Sequence, residues 1–336
     1  MPVAVNATGT GENRRRVSDT LGGGTVDTRR IGTLDVSVVG LGCNNFGSRL
    51  DYNATSAVVH AALDAGITFF DTADYYGSTL SEEYLGRALG VRRYDVVLAT
   101  KFGKKLDEEH HGAHPEYVKR AVEDSLRRLR TDHIDLYQIH EPDPDVPIED
   151  TLAALDDLVR AGKVREIGCS NFSVAQIREA DAAVHGDSAR FVSVQNEYNL
   201  LHRDAECDVI PECERMGIAF LPYYPLASGL LTGKYRRGQA PPEGSRIAAS
   251  KKREAHLADD RLAKVERLIE FATARGHTLL ELSFSWLLVR PVVPSVIAGA
   301  TKLEQVRANT AAASWRLTDA ELAEIDAIVG TPAGNC

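Results

Sequence analysis

The sequence has 336 residues, 43% of them hydrophobic, and a formal net charge of −9 at pH 7. A chain of this length can bury a large core, either in two domains of about 150 residues or in one α/β barrel. The acidic balance argues against a nucleic-acid-binding protein, which needs basic surfaces, and no apolar run approaches the ~20 residues of a membrane span.

The first 27 residues are small, polar and rich in glycine, and their arginine run at positions 14–16 is not followed by the apolar stretch of a secretory signal. We therefore predict a disordered extension over residues 1–27, followed by a single domain over residues 28–336. The five cysteines form no CxxC pair. This usage is typical of free thiols in a reducing compartment, so we expect a cytoplasmic protein.

Apolar runs typical of buried strands alternate with amphipathic helical patterns along the whole chain. The predicted strands cover residues 36–43, 68–73, 96–101, 133–140, 164–170, 191–197, 218–225 and 294–299. Each run is followed by a helical pattern, and no Pro/Gly/Ser-rich linker divides the series. Eight such units in one domain predict a (β/α)8 TIM barrel. A doubly wound sheet also alternates strands and helices, but "GLGCNNFG" lacks the glycine spacing that its first turn requires.

The seventh predicted strand is followed by an unusually long connection, residues 226–256. Long loops of this kind usually cover or bind a ligand. The glycines of "SGLLTG" supply hinge positions. We therefore predict a lid that is mobile without ligand and ordered with it.

Ionisable side chains follow three neighbouring predicted strands at the end where barrel chemistry takes place. Asp71 and Tyr76 follow the second strand, Lys101 ends the third and His140 ends the fourth. Each residue taken alone has a structural explanation, such as a turn cap for Asp71 or a rim position for Lys101. Together, at matched depth, they indicate a reacting centre.

The four side chains have complementary roles in proton transfer. A buried ammonium needs a carboxylate partner, so Asp71 and Lys101 are expected to pair. We expect the Lys101 cation to lower the pKa of Tyr76, which is ordinarily about 10, so that the phenol can donate a proton to an alkoxide. His140 is placed to orient the carbonyl, and we expect the neighbouring Glu141 to raise the pKa of this histidine.

Seven sequence blocks, in order from about residue 28 onward, resemble the aldo-keto reductase family. They are "FFDTADYYG", "LATKFG", "DLYQIHEPD", "GKVREIGCSNF", "VQNEYNLLHR", "YYPLASGLLTGKY" and "IAGATKLEQVRAN". The resemblance implies that Asp71, Tyr76, Lys101 and His140 form a catalytic tetrad with Tyr76 as the general acid. It also implies reduction of aldehydes or ketones with hydride from NADPH, bound without a Rossmann fold.

The same resemblance assigns cofactor-binding residues. For the nicotinamide it implies amide contacts from Ser170, Asn171 and Gln195 and ring stacking on Tyr223. For the pyrophosphate it implies Leu226, Gly229, Leu231 and Lys234. For the adenosine end it implies Thr301, Lys302, Gln305 and Asn309, at a helix N-terminus where anions are favoured. Because Lys302 and the nearby Arg307 offer cations to a 2′-phosphate, we predict NADPH as the cofactor, with NADH less favoured.

The predicted substrate-binding residues are Asn44, Asn45 and Phe102. Asn44 and Asn45 stand where relatives often have an aromatic residue or Met, which favours polar carbonyl substrates. Tyr224 stands where many relatives have Ser, so the stacking face of Tyr223 is expected to be crowded or shared. The stretch "DEEHHGAH" at residues 107–114 contains histidines at metal-ligand spacing, but Gly112 interrupts it. We predict a rim loop there and no metal.

One alternative function remains open at this point. Regulatory subunits such as the potassium-channel β-subunits keep the same fold and cofactor while acting as redox-sensing partners. The sequence discriminates poorly between such a subunit and an enzyme with ordinary turnover. It predicts a small-molecule carbonyl substrate and no nucleic-acid or membrane partner, and it leaves the oligomeric state open, with a homo-oligomer as one alternative.

Overall fold

The computed structural model describes residues 26–330. Within that range, eight parallel strands form a nearly closed barrel with helices between them, which confirms the predicted (β/α)8 fold. The strands are β1 (Thr28–Ile31), β2 (Leu34–Ser37), β3 (Val39–Gly42), β4 (Phe69–Asp71), β5 (Val97–Phe102), β6 (Ile134–Ile139), β7 (Val164–Ser170), β8 (Phe191–Glu197), β9 (Ala219–Tyr223) and β10 (Val296–Gly299). The helices are α1 (Tyr52–Asp64), α2 (Leu80–Leu89), α3 (Pro115–Leu129), α4 (Ile148–Arg160), α5 (Val174–Ala182), α6 (Val209–Met216), α7 (Arg253–His256), α8 (Asp259–Thr273), α9 (Leu279–Leu288), α10 (Leu303–Ala311) and α11 (Asp319–Val329).

The strand register places the ends of neighbouring strands at one level. The order around the barrel is β10-β3-β4-β5-β6-β7-β8-β9. Asp71 at the end of β4 pairs with Ala99, Lys101 on β5 pairs with Gln138, and Ser170 at the end of β7 pairs with Gln195. Residues that are paired across neighbouring strands point to the same side of the sheet, and side chains alternate between the two sides along each strand. The register therefore determines which side chains face the barrel interior.

A hairpin that precedes the barrel was not anticipated by the sequence analysis, which had one strand over residues 36–43. Strands β1 and β2 pair with each other, and the chain breaks at Val38 before β3 begins. Ile31 and Leu34 of the hairpin share a buried cluster with the first residues of β4, β5 and β9, which are Phe69, Val97 and Ala219. The hairpin therefore closes the end of the barrel opposite the predicted site.

The connection after β9 is more ordered than a free loop. It contains a 3₁₀ segment, Ala227–Thr232, and the short helix α7. Leu231, Tyr235 and Ile247 are almost fully buried within it. Exposed residues lie between these buried anchors, and the lid's mobility stays a prediction.

The predicted N-terminal extension lies almost wholly outside the described residues. Asp27, inside them, accepts a bond from Arg316 at 3.1 Å. Cys43, Cys169 and Cys213 are buried free thiols, but Cys207 is disulfide-bonded, so the prediction of free thiols is wrong for that residue. No helix in residues 26–330 has the length and apolar character needed to cross a membrane.

Candidate active site

A cavity of about 780 Å³ opens at the C-terminal ends of the barrel strands. The structure brings most of the sequence-predicted site residues into its wall. These are Asn44, Asn45, Asp71, Tyr76, His140, Ser170, Asn171, Gln195, Tyr223, Leu226, Gly229, Lys234, Thr301, Lys302, Gln305 and Asn309.

Asp71, at the cavity wall, forms a buried ion pair with Lys101, which does not itself line the cavity. The Lys101 Nζ lies 2.7 Å from Asp71 Oδ2 and donates a second bond to the Thr72 carbonyl at 2.9 Å. The other carboxylate oxygen of Asp71 accepts bonds from Gln195 at 3.1 Å and Gln138 at 3.3 Å. Both charges are thus compensated and hydrogen-bonded, which is what a buried pair requires.

Gln138 is a site-supporting residue that the sequence analysis missed. It lies on β6, fully buried and directly across the ladder from Lys101. A polar residue inside the apolar run "DLYQI", two positions before His140, was the available signal. Recognising it required the strand register, which turns Gln138 and Lys101 to the same side of the sheet.

Tyr76 lies half-buried at the cavity wall, on the short turn that follows β4. The Lys101 ammonium is 5.3 Å from the centroid of its ring. Gly77 takes a positive φ of 58°, and a Cβ there would meet the Phe46 carbonyl at 2.4 Å. Only glycine fits this close approach, so Gly77 fixes the path of the chain directly after Tyr76.

The net electrostatic effect on Tyr76 differs from the sequence-based expectation. Burial raises the pKa of Tyr76, Lys101 lowers it and Asp71 raises it, and the sum lies above the ordinary value. The expected lowering by Lys101 is present, but desolvation of the phenolate outweighs it. Tyr76 is therefore a protonated phenol at neutral pH, the form that a proton donor needs.

His140 lies edge-on to Tyr76, with the ring centroids 5.7 Å apart and the planes at 87°. Burial, together with the charges of Lys101 and Lys104, lowers its pKa to about 2. The expectation that Glu141 raises this pKa is wrong, because the Glu141 carboxylate pairs with Lys104 at 2.7 Å. His140 is consequently a neutral imidazole, and its buried Nδ1 has no hydrogen-bond partner.

The residues assigned to the nicotinamide form a connected hydrogen-bonded group. Asn171 donates to the His140 carbonyl at 2.9 Å and accepts from the Tyr223 hydroxyl at 2.9 Å. Ser170 donates to the Gln195 carbonyl at 2.7 Å. Asn171 holds a positive φ of 63°, a conformation that non-glycine residues rarely adopt and that concentrates at functional sites. A flat ring face beside amide and hydroxyl groups suits a nicotinamide carboxamide.

The opposite end of the cavity suits an anion. Thr301 and Lys302 precede α10, and the Thr301 N–H donates to Gln305 Oε1 at 2.7 Å. Gly229 has a positive φ of 95°, and its missing side chain leaves backbone open beside Lys234. A helix N-terminus with an exposed lysine and an open glycine backbone fits a phosphate-bearing group.

Besides Lys101, which is fully buried, three predicted residues do not line the cavity. Leu231 is fully buried in the core, and Arg307 is exposed one turn into α10. Phe102, predicted to bind substrate, is fully buried and stacks on Tyr137 at 4.7 Å. Its strand position explains this, since Lys101 faces the barrel interior and the next side chain faces the helices. Phe102 is thus a core residue that does not line the cavity.

The two asparagines after β3 differ in accessibility. Both line the cavity, but Asn45 is only 5% exposed and donates to the Ala300 carbonyl at 3.4 Å, while its Oδ1 has no partner. Arg49, which was not predicted as a site residue, lines the same wall and donates to the Gly244 carbonyl of the lid at 2.6 Å. Arg246, on the lid, also faces the cavity.

Two histidines of the loop at 107–114 make local hydrogen bonds. His110 Nδ1 lies 2.8 Å from Asp107 Oδ1, and the His114 ring caps the N-terminus of α3. Across the described residues, no group of three or more His, Cys, Asp or Glu side chains is placed to hold a metal ion.

Comparisons with known proteins agree with this geometry. The sequence profile of the Aldo/keto reductase family matches residues 38–329. Rice (Oryza sativa subsp. japonica) has a protein named "Probable voltage-gated potassium channel subunit beta" that is 36% identical, covering 79% of this chain and 83% of its own length. The "Uncharacterized oxidoreductase YqkF" of Bacillus subtilis (strain 168) is 34% identical, covering 88% and 94%.

A solved structure shows the same architecture. The glycerol dehydrogenase AKR11B4 from Gluconobacter oxydans superposes with a TM-score of 0.79 at 33% sequence identity. The match covers 90% of this chain and 94% of that one. The chain therefore belongs to the aldo/keto reductase family of oxidoreductases.

Proposed function

We propose that this protein reduces aldehydes and ketones to alcohols, with NADPH as the hydride source and Tyr76 as the general acid. The observation that carries the proposal is the buried Asp71–Lys101 pair at 2.7 Å, whose Asp71 lines the cavity together with Tyr76 and His140 and whose ammonium lies 5.3 Å from the Tyr76 ring. A reduced nicotinamide supplies hydride when bound. The chain's own residues must then bind the carbonyl, deliver one proton and exclude water.

Each of the four side chains has one part in that proton delivery. His140, neutral because burial and two lysine charges depress its pKa, is suited to hydrogen-bond the carbonyl oxygen. Tyr76 gives its hydroxyl proton to that oxygen as negative charge develops there. Lys101, 5.3 Å from the tyrosine ring, stabilises the phenolate that remains, and Asp71 keeps the lysine charged and in place.

The preference for NADPH is supported by the position of Lys302. It occupies the N-cap position of α10, with no side-chain capping bond, at the anion-suited end of the cavity, where a 2′-phosphate adds a charge that NADH lacks. Arg307, included with it in the sequence analysis, does not line the cavity, so the proposed discrimination rests on Lys302. We also propose that the substrate is a small molecule and that the protein is cytoplasmic.

A redox-sensing regulatory subunit is the second candidate. The 36% identity to the rice protein named as a channel subunit beta favours it, and the tetrad geometry is compatible with both functions. The two candidates differ in turnover and not in cofactor binding.

The deciding experiment measures NADPH oxidation with a panel of aldehydes, ketones and keto-sugars. Turnover in the ordinary enzyme range of about 1–10³ s⁻¹ with at least one substrate supports the reductase. NADPH binding without measurable turnover on any of them contradicts it and supports the regulatory subunit. Running the same panel with Tyr76→Phe shows whether the observed oxidation uses the proposed acid.

A further inference from the structure

An ion pair lies at the cavity rim beside the reacting centre, and the proton-transfer mechanism does not use it. Lys104 Nζ and Glu141 Oε1 are 2.7 Å apart, and both residues line the cavity. Glu141 directly follows His140, and Lys104 lies three residues after Lys101. The pair therefore connects the loop after β5, the strand that carries Lys101, with the loop after β6, which begins at His140.

The lysine of this pair is electrostatically close to the reacting centre. After burial and Lys101, its charge is the third cause that lowers the pKa of His140. Its Nζ lies 5.1 Å from the centroid of the Tyr75 ring, a cation–π arrangement that restricts where the ammonium can go. Lys104 is thus held near the place where a substrate carbonyl meets His140.

The pair retains contact with water. The side chains of Lys104 and Glu141 are 34% and 48% exposed, and Tyr75 beside them is 43% exposed. An exposed ion pair contributes little to folding stability. What it offers to a ligand is a donor and an acceptor next to each other, over an aromatic surface.

The chemistry of the pair selects among carbonyl compounds. A hydroxyl both donates and accepts hydrogen bonds, so a single hydroxyl can use Glu141 and Lys104 together. An alkyl group in the same place would cover two charged groups without replacing their bonds to water, which is costly. A carboxylate would gain from Lys104 but meet the negative charge of Glu141.

We propose that the Lys104–Glu141 pair recognises a hydroxyl group next to the substrate carbonyl, so that hydroxy-aldehydes and hydroxy-ketones are the preferred substrates. This inference rests on the proposed reductase function and adds a specificity site to it. Tyr75 supports the site by covering the carbon chain of the substrate and holding the ammonium.

The test uses two ketones of nearly equal size, hydroxyacetone and butanone, which differ in a hydroxyl against a methyl. The measured quantity is the kcat/KM for hydroxyacetone divided by the kcat/KM for butanone. Because the two ketones differ in intrinsic reactivity, the readout is the change in this ratio between the wild type and each variant. Glu141→Gln keeps the shape but weakens the acceptor, and Lys104→Met removes the donor. Each is expected to lower the ratio at least about fivefold, mainly through a higher KM for hydroxyacetone, because the lost contact binds substrate and transition state alike.

Lys105→Met is the matched control. Lys105 is adjacent in sequence but exposed, pairs with Glu108 at 2.6 Å and does not line this cavity. It should leave the ratio unchanged. If Glu141→Gln and Lys104→Met also leave the ratio unchanged while both ketones are reduced, the specificity site is wrong and the reductase function stands. If the wild-type protein reduces neither ketone nor any compound of the wider panel, the reductase function itself fails and this inference falls with it.

Discussion

Lys101 Nζ and Asp71 Oδ2 are 2.7 Å apart, and their side chains are 1% and 6% exposed. Removing two opposite charges from water costs several kcal/mol per ion, and the cost is recovered only where geometry and hydrogen bonding are good. Here the second carboxylate oxygen is held by Gln138 and Gln195, and the ammonium also donates to the Thr72 carbonyl. The pair therefore holds a positive charge in a fixed position 5.3 Å from the ring of Tyr76.

Lys101→Met should abolish reduction and also destabilise the fold. The phenolate of Tyr76 loses its cation, and Asp71 is left as a buried charge with only amide donors. Breaking a buried pair in this way typically costs about 3–5 kcal/mol. Chemical denaturation followed by circular dichroism measures the loss.

The double variant Lys101→Met/Asp71→Asn separates the two effects. It removes the uncompensated charge, so we expect it to recover much of the lost stability without recovering turnover. A single Lys101→Met variant as stable as the wild type would show that the pair is not energetically coupled as proposed.

Tyr76→Phe should lose turnover while keeping the fold and the cofactor site. The substitution removes the hydroxyl that donates the proton but retains the ring. Loss of a general acid is worth roughly 10²–10⁴ in rate, while cofactor affinity should stay within a few-fold. Steady-state kinetics and a fluorescence titration with NADPH measure the two quantities, and near wild-type rates for this variant would refute the tetrad assignment.

The pH dependence of reduction should show no histidine titration near neutrality. The pKa of His140 is lowered to about 2, so the imidazole is already neutral throughout the working range. The pKa of Tyr76 is raised, so the acid stays protonated, and active, at and beyond the pH where an ordinary tyrosine begins to ionise. We expect kcat/KM to be flat from about pH 6 to 9 and to fall only at higher pH.

An inflection in kcat/KM near pH 6.5 would contradict this assignment if it disappeared in His140→Gln. The same inflection persisting in that variant would point to another group and leave His140 as assigned.

The four central side chains could be predicted from sequence because parallel strands end at one edge. Asp71, Lys101 and His140 each follow or end an apolar run, and a barrel brings such ends together whatever the details of packing. Gln138 could not be assigned in this way, because its contact with Asp71 depends on the register of β5 against β6. Register is a property of the assembled sheet.

Quantities that depend on burial were also beyond the sequence. Desolvation raises the pKa of Tyr76 and the charge of Lys101 lowers it, so the sign of the shift depends on which effect is larger. The extent of desolvation is known only from the structure. Phe102 is a different case: side chains alternate along a strand, so an inward Lys101 already turns Phe102 toward the helices, and its burial could have been predicted from the sequence. The β1–β2 hairpin was missed because its strands have only four residues each.

Lys302→Met should weaken NADPH binding and leave NADH binding unchanged. A charge-assisted contact to the 2′-phosphate is worth about 1.5–3 kcal/mol, which corresponds to at least about tenfold in dissociation constant. Arg307→Met is the matched control, because Arg307 lies on the same helix but away from the cavity wall. Equal weakening of both cofactors in Lys302→Met would indicate a contact to a phosphate that the two share.

Asp74→Asn should stabilise the protein at alkaline pH. Asp74 is 1% exposed, and neither of its carboxylate oxygens has a hydrogen-bond partner. Burial, together with the negative charge of Glu82, raises its pKa from 3.8 to about 8, against the opposing charges of Arg128 and Lys101. Between these two pH values the Asp74 carboxyl therefore stays protonated in the folded state, whereas in the unfolded state it has already lost its proton.

The sign of the stability change follows from that proton. The contribution of Asp74 is fully present below the unfolded pKa of 3.8 and is lost as the pH rises toward about 8. An amide cannot ionise, so Asp74→Asn should flatten this decline and gain at least about 2 kcal/mol over the wild type at pH ~9 relative to pH ~5. Urea denaturation at the two pH values, with the exposed Asp64→Asn on α1 as control, measures the difference. If Asp74→Asn and the wild type have parallel pH profiles, Asp74 is ionised in the folded protein and its carboxylate has a partner that offsets its burial.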